Sequence, residues 1–430
     1  MKKLNAISID KTKLIPDEEL KIIRGGPRLR RIFNVPNWGF DTIRITALFL
    51  ISVLIVSCRG GSGTMFNAAT LPYKVDIEKY YDNVKPVPLS SIGEELVYVP
   101  LETRPDLVLG QVQPLSVEVY DSLIFINDTK QLYLFDINGK FIRKIGRIGR
   151  GPGEYLLPYF TVDNDNRLVY VGGSDKINCF DFDGNDMGSF ALDFYVLNFI
   201  VNNDGTILFQ KENYSTPYVH WPDSVSGWYI TDGKGEVVSK IRSSYGNNFT
   251  SSMLYLIPTT MYRYNNTIHF KELFSDTLFC FMGDIKVPYA IFNYGKYWQD
   301  VSLLQHDDFF DVNAKKVLRT SLILEDDSHL FFRLYFSETK ISLCVYNKKT
   351  GEVSILEGEG FVNDIDKGLS FWPKFGCDDG KLVDFRDAYT FIDDVDKIIK
   401  EEGKSGLGKE LPNIYDTIEE TSNPIIIFLE

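Results

Sequence analysis

Short runs of alternating apolar and polar residues dominate the chain from about residue 94 onward. Residues 122–127 (SLIFIN) and 131–136 (QLYLFD) repeat with a period of two, and residues 141–146 (FIRKIG) follow after a turn. A period of two is that of a β-strand whose side chains point alternately to opposite faces. The pattern therefore predicts three consecutive short strands joined by tight turns.

The turn between the second and third of these strands recurs along the chain. It begins with Asp136 and ends with Gly139, because Asp bonds its own backbone and Gly accepts a positive φ. An aromatic-rich strand precedes each recurrence, a further strand follows it, and the intervals run from 45 to about 65 residues. The recurrences start at Asp181, Asp232, Met282 and Asn347.

Four strands over some 45–50 residues is the period of a propeller blade. We therefore predict an all-β fold, a six-bladed β-propeller, over residues 94–430. Strands at 381–387 and 424–430 supply the sixth blade, and residues 96–102 are expected to close the ring beside the C-terminal strand, which would remove open edges. A β-sandwich or barrel with coincidental spacing is the alternative.

Residues 389–402 depart from the strand pattern and predict a helix inserted in the last blade. Thr390 and Asp393 resemble a capping box, and Gly403 is a stop signal. A second short helix is expected within residues 297–318. Apolar residues recur at helical spacing in the first segment, at Ile392, Val395, Ile398 and Ile399.

The formal net charge is −13, and the acidic excess lies downstream of residue 57. Such a body is repelled by phosphate backbones, so we expect no nucleic acid among its partners. Five cysteines occur without a C-x-x-C pair and four histidines lie far apart in the sequence. These spacings predict neither a zinc site nor a disulfide framework, and no cofactor is expected.

The first 26 residues resemble the double-glycine leader of exported peptides. In that family a Glu and a Leu stand about two turns before a glycine pair, with an aliphatic residue just before the pair. The resemblance implies cleavage after the pair, and the alternative is an ordinary short helix that ends in glycines. The matching residues are Glu19, Leu20, Ile23, Gly25 and Gly26.

Residues 27–58 resemble a lipoprotein-type signal segment. Residues 45–56 form an uncharged apolar run of twelve, too short for a spanning helix, after a basic flank. The run ends at Ser57 and Cys58, as in a bacterial lipobox, where the Cys is lipidated. The resemblance implies a membrane partner through a lipid anchor on Cys58, with residues 59–93 as a tether. A simple membrane anchor that happens to end in Cys is the alternative.

The most distinctive loop is residues 146–155 (GRIGRGPGEY). It is not a nucleotide loop, because it lacks Gly-Lys-Ser/Thr and does not open a helix after a strand. One interpretation is a connector between blades whose Arg and Glu pair locally. The other is a charged rim that contacts an anionic or peptide ligand. The residues of this candidate rim site are Arg147, Arg150, Glu154 and Tyr155.

With these segments in hand, residues 94–430 resemble the six-bladed β-propeller lipoproteins of Bacteroidales-type bacteria, relatives of the NHL-repeat propellers. That family implies a lipid-anchored envelope protein without assigned chemistry. Some of its members lie near double-glycine peptide systems. The matching stretches are residues 99–103 (VPLET), 139–146 (GKFIRKIG), 149–155 (GRGPGEY), 276–278 (DTL) and 422–425 (SNPI).

We expect a binding or assembly module, lipid-anchored at the cell envelope and most simply at the outer membrane. A peptide, a glycan or another envelope protein is the expected ligand. The alternative is an envelope lyase or hydrolase with its site in the central funnel. His269 and His329 clustered with a carboxylate at the ring axis would favour the enzyme, whereas scattered Tyr, Arg and amides would favour binding. A third hypothesis is a precursor whose leader is cleaved after Gly26, which would link the protein to peptide export.

Overall fold

A computed structural model describes residues 71–430, apart from residues 111, 113–116, 197, 212–226, 243–259, 273–274, 283–284, 299–318, 337–340, 378–379 and 409. Six β-sheets follow one another along the chain as the blades of a propeller. The predicted all-β, six-bladed fold is confirmed. No helix among the described residues is long and apolar enough to cross a membrane.

The N-terminal segment of the described chain runs along the outer edges of three blades. Its elements are β1 (Tyr73–Asp76), the short helix α1 (Ile77–Tyr80), β2 (Val84–Lys85), a 3₁₀ turn (Leu89–Ser91) and β3 (Leu96–Pro100). β1 and β2 add parallel outermost strands to blades 4 and 5. The described part of the predicted tether, residues 71–93, therefore belongs to the propeller, because its strands pair there and Val75 and Ile77 are fully buried.

Blades 1 and 2 follow in sequence. Blade 1 consists of β4 (Val117–Tyr120), β5 (Leu123–Asn127), β6 (Leu132–Asp136) and β7 (Phe141–Ile145). The connector holds the short parallel pair β8 (Arg147–Ile148) and β9 (Glu154–Tyr155). Blade 2 consists of β10 (Tyr159–Asp163), β11 (Leu168–Asp181) and β12 (Asp186–Val196).

β11 supplies two strands of blade 2, because it folds back on itself near Gly172. A Cβ placed on Gly172 would lie 3.0 Å from the Cα of Ile177, whereas five residues of extended strand span about 17 Å. The first part pairs with β10 and the last part with β12. Blade 2 therefore matches the four-strand unit.

Blades 3 to 5 repeat the unit. Blade 3 contains β13 (Asn198–Val201), β14 (Ile207–Lys211), β15 (Gly227–Thr231) and β16 (Val237–Arg242). Blade 4 contains β17 (Thr260–Tyr264), β18 (Thr267–Lys271), β19 (Thr277–Met282) and β20 (Ile285–Asn293), followed by a 3₁₀ turn (Gly295–Tyr297). Blade 5 contains β21 (Arg319–Glu325), β22 (His329–Tyr335), β23 (Ile341–Asn347) and β24 (Val353–Leu356).

Blade 6 joins the two ends of the described chain. It contains β25 (Phe375–Gly376), β26 (Leu382–Arg386), β27 (Ile425–Leu429) and, as its outer strand, β3. β3 pairs antiparallel with β27, with Val99 opposite Ile426. This seam is the one predicted for residues 96–102 beside the C-terminal strand.

The predicted inserted helix is present as α2 (Ala388–Glu402), between β26 and β27. Its N-cap is Asp387, which makes no side-chain cap hydrogen bond, so the predicted capping box at Thr390 is wrong. Gly403 ends the helix as expected, and Phe391 and Val395 pack into the core between blades 5 and 6. A 3₁₀ turn (Lys404–Gly406) and α3 (Leu411–Tyr415) precede β27. Of the second predicted helix, only the turn ending at Tyr297 is described.

The recurring turn has the same geometry in several blades. The Gly139 N–H donates to the Asp136 carbonyl oxygen (2.9 Å), and Gly139 has a φ of +80°. Gly184, Gly235 and Gly351 likewise adopt positive φ. Between adjacent blades the interfaces are apolar clusters, so the core of the molecule is a series of sheet-to-sheet contacts around the ring.

Candidate functional site

The inner strands of all six blades line one cavity of about 140 Å³, which we call the axial channel. The strands are β4, β10, β13, β17, β21 and β25, because the first strand of each blade lies nearest the axis. The lining mixes apolar residues with hydroxyl, amide and charged side chains. The polar members are Glu118, Thr161, Asn198, Thr260, Tyr262, Arg263, Glu325 and Lys374.

A bulge in β21 alters the wall of the axial channel. Ser321 pairs with Arg333 and Leu324 with Phe331, so residues 322 and 323 stand opposite Phe332 alone and the inner strand has one extra residue. Leu322 has a φ of +50°, a conformation that costs a bulky residue about 1–3 kcal/mol. The bulge places Leu322 and its neighbour in the lining of the channel.

A buried carboxylate organises the side of the channel where blades 4 and 5 meet. The Glu325 side chain is fully buried and accepts hydrogen bonds from the hydroxyls of Tyr262 (2.8 Å) and Tyr289 (2.7 Å). The Lys348 ammonium lies 2.5 Å from Glu325 Oε2, the oxygen that accepts from Tyr289, and also donates to the Asp326 carbonyl oxygen. Burial and the Glu325 charge raise the pKa of Tyr262, so its phenol stays protonated and donates.

His269 completes this cluster without reaching the axis. Its Nε2 lies 3.7 Å from Glu325, beyond hydrogen-bond distance, while its Nδ1 lies 3.1 Å from the Thr267 carbonyl oxygen. Since a carbonyl oxygen only accepts, Nδ1 carries the proton of the neutral ring. Burial is the main cause that lowers the pKa of His269. The ring is thus a neutral, fully buried part of the wall behind the channel.

The two histidines proposed for an enzymatic site lie on second strands, β18 and β22, rather than on inner strands. His329 contacts Asp326 (3.2 Å) and Asn347 (3.3 Å) at the turns of blade 5. Neither histidine lines the axial channel. Within the described ranges, no group of three or more His, Cys, Asp or Glu side chains is placed to hold a metal ion.

A second buried carboxylate lies between blades 5 and 6. Asp384 is fully buried and is bound by Lys374 (2.9 Å) and by Arg386 (2.5 Å). Lys374 also lines the axial channel, and burial lowers its pKa. Arg333 adds a third positive charge here, since its charge also lowers the pKa of Lys374.

The glycine-rich loop is a connector with an internal ion pair. Arg147 donates to Glu154 (2.7 Å), whose other oxygen accepts the Gly151 N–H (2.7 Å). These contacts lower the pKa of Glu154, with the Gly151 hydrogen bond as the largest cause. Arg150 is exposed. The local Arg–Glu pair is the one expected for a connector, and a ligand at this rim stays a prediction.

Tyr155 is oriented inward rather than toward the rim. Its side chain is buried, and its hydroxyl donates to the Ile145 carbonyl oxygen (2.8 Å) and accepts from the Leu132 N–H (3.2 Å). Gln131 donates to the same hydroxyl (3.0 Å). The phenol therefore ties the connector to blade 1. The predicted processing residues Gly25, Gly26 and Cys58 lie outside the described residues.

A larger hollow of about 300 Å³ lies at the seam between blades 6 and 1. Its floor is apolar, with Val99, Val119 and Phe428, and its rim carries the exposed pair of Lys381 and Glu430 (2.9 Å). This hollow was not predicted from the sequence, because its lining comes from segments that lie far apart along the chain.

Comparison with known proteins places the chain in a family. A model of the domain of unknown function DUF4934 matches residues 72–430. The chain belongs to this family. The match begins one residue before β1, so the DUF4934 domain includes the strands that the N-terminal segment adds to blades 4 and 5.

A solved structure resembles the DUF4934 domain in fold, and others match with lower scores. A Bacteroides fragilis protein, provisionally described as exported, has a TM-score of 0.65 at 17% identity, covering 83% of this chain and 99% of that one. A Bacteroides caccae protein of unknown function has a TM-score of 0.34 at 12% identity, covering 57% and 81%. The Neurospora crassa Pan2 WD40 domain has a TM-score of 0.30 at 8% identity, covering 57% and 66%. None of the curated proteins matches.

Proposed function

We propose that this DUF4934 protein is a lipid-anchored propeller of the cell envelope that acts as a non-catalytic binding or assembly module. The observation that carries the binding role is the axial channel. All six inner strands contribute to it, and its polar lining combines Tyr262, Arg263 and Asn198 with carboxylates and an ammonium group. Mixed polar groups on a rigid, closed scaffold fit and orient a ligand.

The histidine placement favours binding over catalysis in this channel. A general acid or base must come within hydrogen-bond reach of the reacting group. His269 lies on a second strand with its side chain fully buried behind Tyr262, and His329 lies at the turns of blade 5. The lyase or hydrolase alternative, as built on these two histidines, would need them together at the axis.

The anchoring part of the proposal rests on the sequence. The apolar run at residues 45–56 follows a basic flank and precedes Ser57 and Cys58, the arrangement of a lipidation signal. The fold neighbour from Bacteroides fragilis, provisionally described as exported, agrees with an extracytoplasmic location. Lipid attachment to Cys58 would place the propeller at the membrane surface, and we propose the outer membrane. A double-glycine cleavage after Gly26 would precede this step.

The anchor is tested by changing Cys58→Ala in the full chain and separating membrane from soluble fractions. Without the thiol no lipid is attached, so we expect the variant to move from the membrane fraction to the soluble fraction. Ser57→Ala is the matched control, because Ala suits a small-residue position and should leave partitioning unchanged. Intact mass and N-terminal analysis of the native protein will show whether processing occurs at Gly26 or Cys58. A Cys58→Ala protein that still partitions with membranes contradicts lipid anchoring.

A further inference from the structure

The interface of blades 5 and 6 gathers three basic side chains around one carboxylate. Lys374 and Arg386 bind Asp384 directly, and their side chains are 18% and 10% exposed while that of Asp384 is 0% exposed. Arg333 acts electrostatically on the same Lys374. We call Arg333, Lys374, Arg386 and Asp384 the basic cluster. It carries more positive than negative charge in a largely buried place.

The carboxylate of the basic cluster has no capacity left for a third cation. One Asp384 oxygen is bound by Lys374 and also accepts the Phe385 N–H (2.8 Å). The other is bound by Arg386 and lies 3.4 Å from the Trp372 N–H. Lys374 also donates a hydrogen bond to the Phe385 carbonyl oxygen, and Arg386 donates one to the Ser370 carbonyl oxygen.

Arg333 is the cation left over. It lies on β22 opposite Ser321, on the same face as Phe331, whose ring contacts Trp372 of blade 6 at 6.2 Å between centroids. Its Nε is buried and has no hydrogen-bond partner among the described residues. A buried polar nitrogen without a partner is destabilising, and more so when it is charged.

The next carboxylate, that of Asp366, is already engaged. It accepts hydrogen bonds from Asn363 (2.6 Å) and from the Gly368 N–H (2.8 Å), beside Tyr98. Within the described residues it forms no hydrogen bond or ion pair with Arg333. A buried guanidinium nitrogen without a bound carboxylate attracts an anion, and a guanidinium fork binds carboxylate or phosphate oxygens in pairs.

We propose that the basic cluster is an anion site that opens to the axial channel through Lys374, and that Arg333 grips a carboxylate or phosphate group of the ligand. This deepens the proposed binding role and rests on it. The channel volume of about 140 Å³ accommodates a small anion or the anionic end of a larger ligand. The adjacent bulge at Leu322 forms part of the wall beside it, since its strand pairs with that of Arg333.

The test measures anion binding to the purified full chain in detergent, by calorimetry and thermal unfolding at fixed pH and ionic strength. Sodium phosphate and sodium succinate are the probes, and sodium chloride is the reference salt. We expect saturable binding of at least one probe and a rise in the melting temperature, because a ligand that binds only the folded state stabilises it. Binding of phosphate alone or succinate alone identifies the source of the anionic group.

Arg333→Gln should weaken the binding at least tenfold, and Arg333→Lys, which keeps the charge but lacks the fork, should weaken it less. Arg242→Gln is the matched control, because Arg242 is exposed at the end of β16 and its loss removes the same charge. No saturable binding by the native protein, or equal affinity in both Arg333 variants and the control, overturns the proposal.

Should Arg333→Gln fail to fold, the Arg333→Lys variant and the titration of the native protein still decide the matter. The result is separate from that of the anchoring test. Failure of anion binding leaves lipid attachment at Cys58 standing, and soluble Cys58→Ala protein serves equally well for the anion titration.

Discussion

At the scale of single residues, buried charge is the feature that distinguishes this propeller interior. Glu325 and Asp384 are both fully buried carboxylates. Lys348 pairs with Glu325, whereas Lys374 and Arg386 pair with Asp384. Removing one partner of such a pair leaves an uncompensated charge, which typically costs about 3–5 kcal/mol. These residues therefore hold the inner ends of blades 4 to 6 in a defined arrangement.

His269 makes stability depend on pH. Burial holds its pKa below the ordinary value, with Lys348 acting in the same direction and Glu325 opposing. The unfolded chain takes up the proton near pH 6.5 and the folded chain only at lower pH. Between these values the unfolded state binds more protons, so the free energy of unfolding falls as the pH falls, by up to about 1.4 kcal/mol per pH unit.

His269→Gln removes this titration and should flatten the decline in stability between pH 7 and pH 5. Urea unfolding at pH 7, 6 and 5 measures the free energy of unfolding of the variant and of the native protein. The difference between their slopes isolates His269, because all other titratable groups are common to both. The groups that face the ring, Glu325, Lys348, Tyr262 and Tyr289, are the same in both proteins. Equal slopes for native protein and variant would show that His269 does not titrate differently on folding.

At the scale of elements, the repeated turn serves different neighbours in different blades. Gly139 and Gly351 have similar φ angles, +80° and +74°. A Cβ on Gly139 would overlap the Pro100 carbonyl oxygen of the chain that leaves β3, whereas a Cβ on Gly351 would meet nothing within 4 Å. The blade 1 turn is thus also a packing contact with the seam.

Gly139→Ala should therefore destabilise the fold more than Gly351→Ala. The second variant bears only the backbone strain, about 1 kcal/mol, while the first adds a steric clash of about 2 kcal/mol or more. Chemical denaturation of the two variants measures the difference. Equal decreases in the free energy of unfolding would mean that the turn of blade 1 is not tightly packed against the seam.

At the scale of the whole molecule, the ring is closed by residues far apart in sequence. Val99 on β3 lies opposite Ile426 on β27, and both are buried between blades 6 and 1. Closure pairs the outer edge of the C-terminal strand and leaves it unavailable to other chains. Closure of the ring therefore depends on this contact between two distant parts of the chain.

Val99→Asp places an unpaired carboxylate in this seam and should lower the free energy of unfolding by at least about 3 kcal/mol. Val238→Asp is the control, since Val238 is 59% exposed on the outer strand of blade 3 and its replacement should change stability little. Denaturant unfolding followed by circular dichroism compares them. Similar denaturation midpoints for the two variants would show that the seam contributes little to the stability of the propeller.

The repeat, its turns and the closing seam of this DUF4934 protein could be predicted from its amino-acid sequence. Strand period, the Asp–Gly turns and the helical spacing before Gly403 are local properties, set by side-chain alternation and backbone preference. Residues 71–93 were missed because their short strands, such as Val84–Lys85, have no period long enough to detect.

The candidate site, by contrast, could be identified only from the packing of the blades. Arg333 lies on β22, Lys374 just before β25 and Asp384 on β26, and nothing in their local sequence marks them as neighbours. Tyr155 shows the converse, since a residue placed at a rim by its loop is drawn inward by hydrogen bonds to blade 1. The physical reason is that burial and charge pairing arise from the packing of blades, which local sequence does not encode.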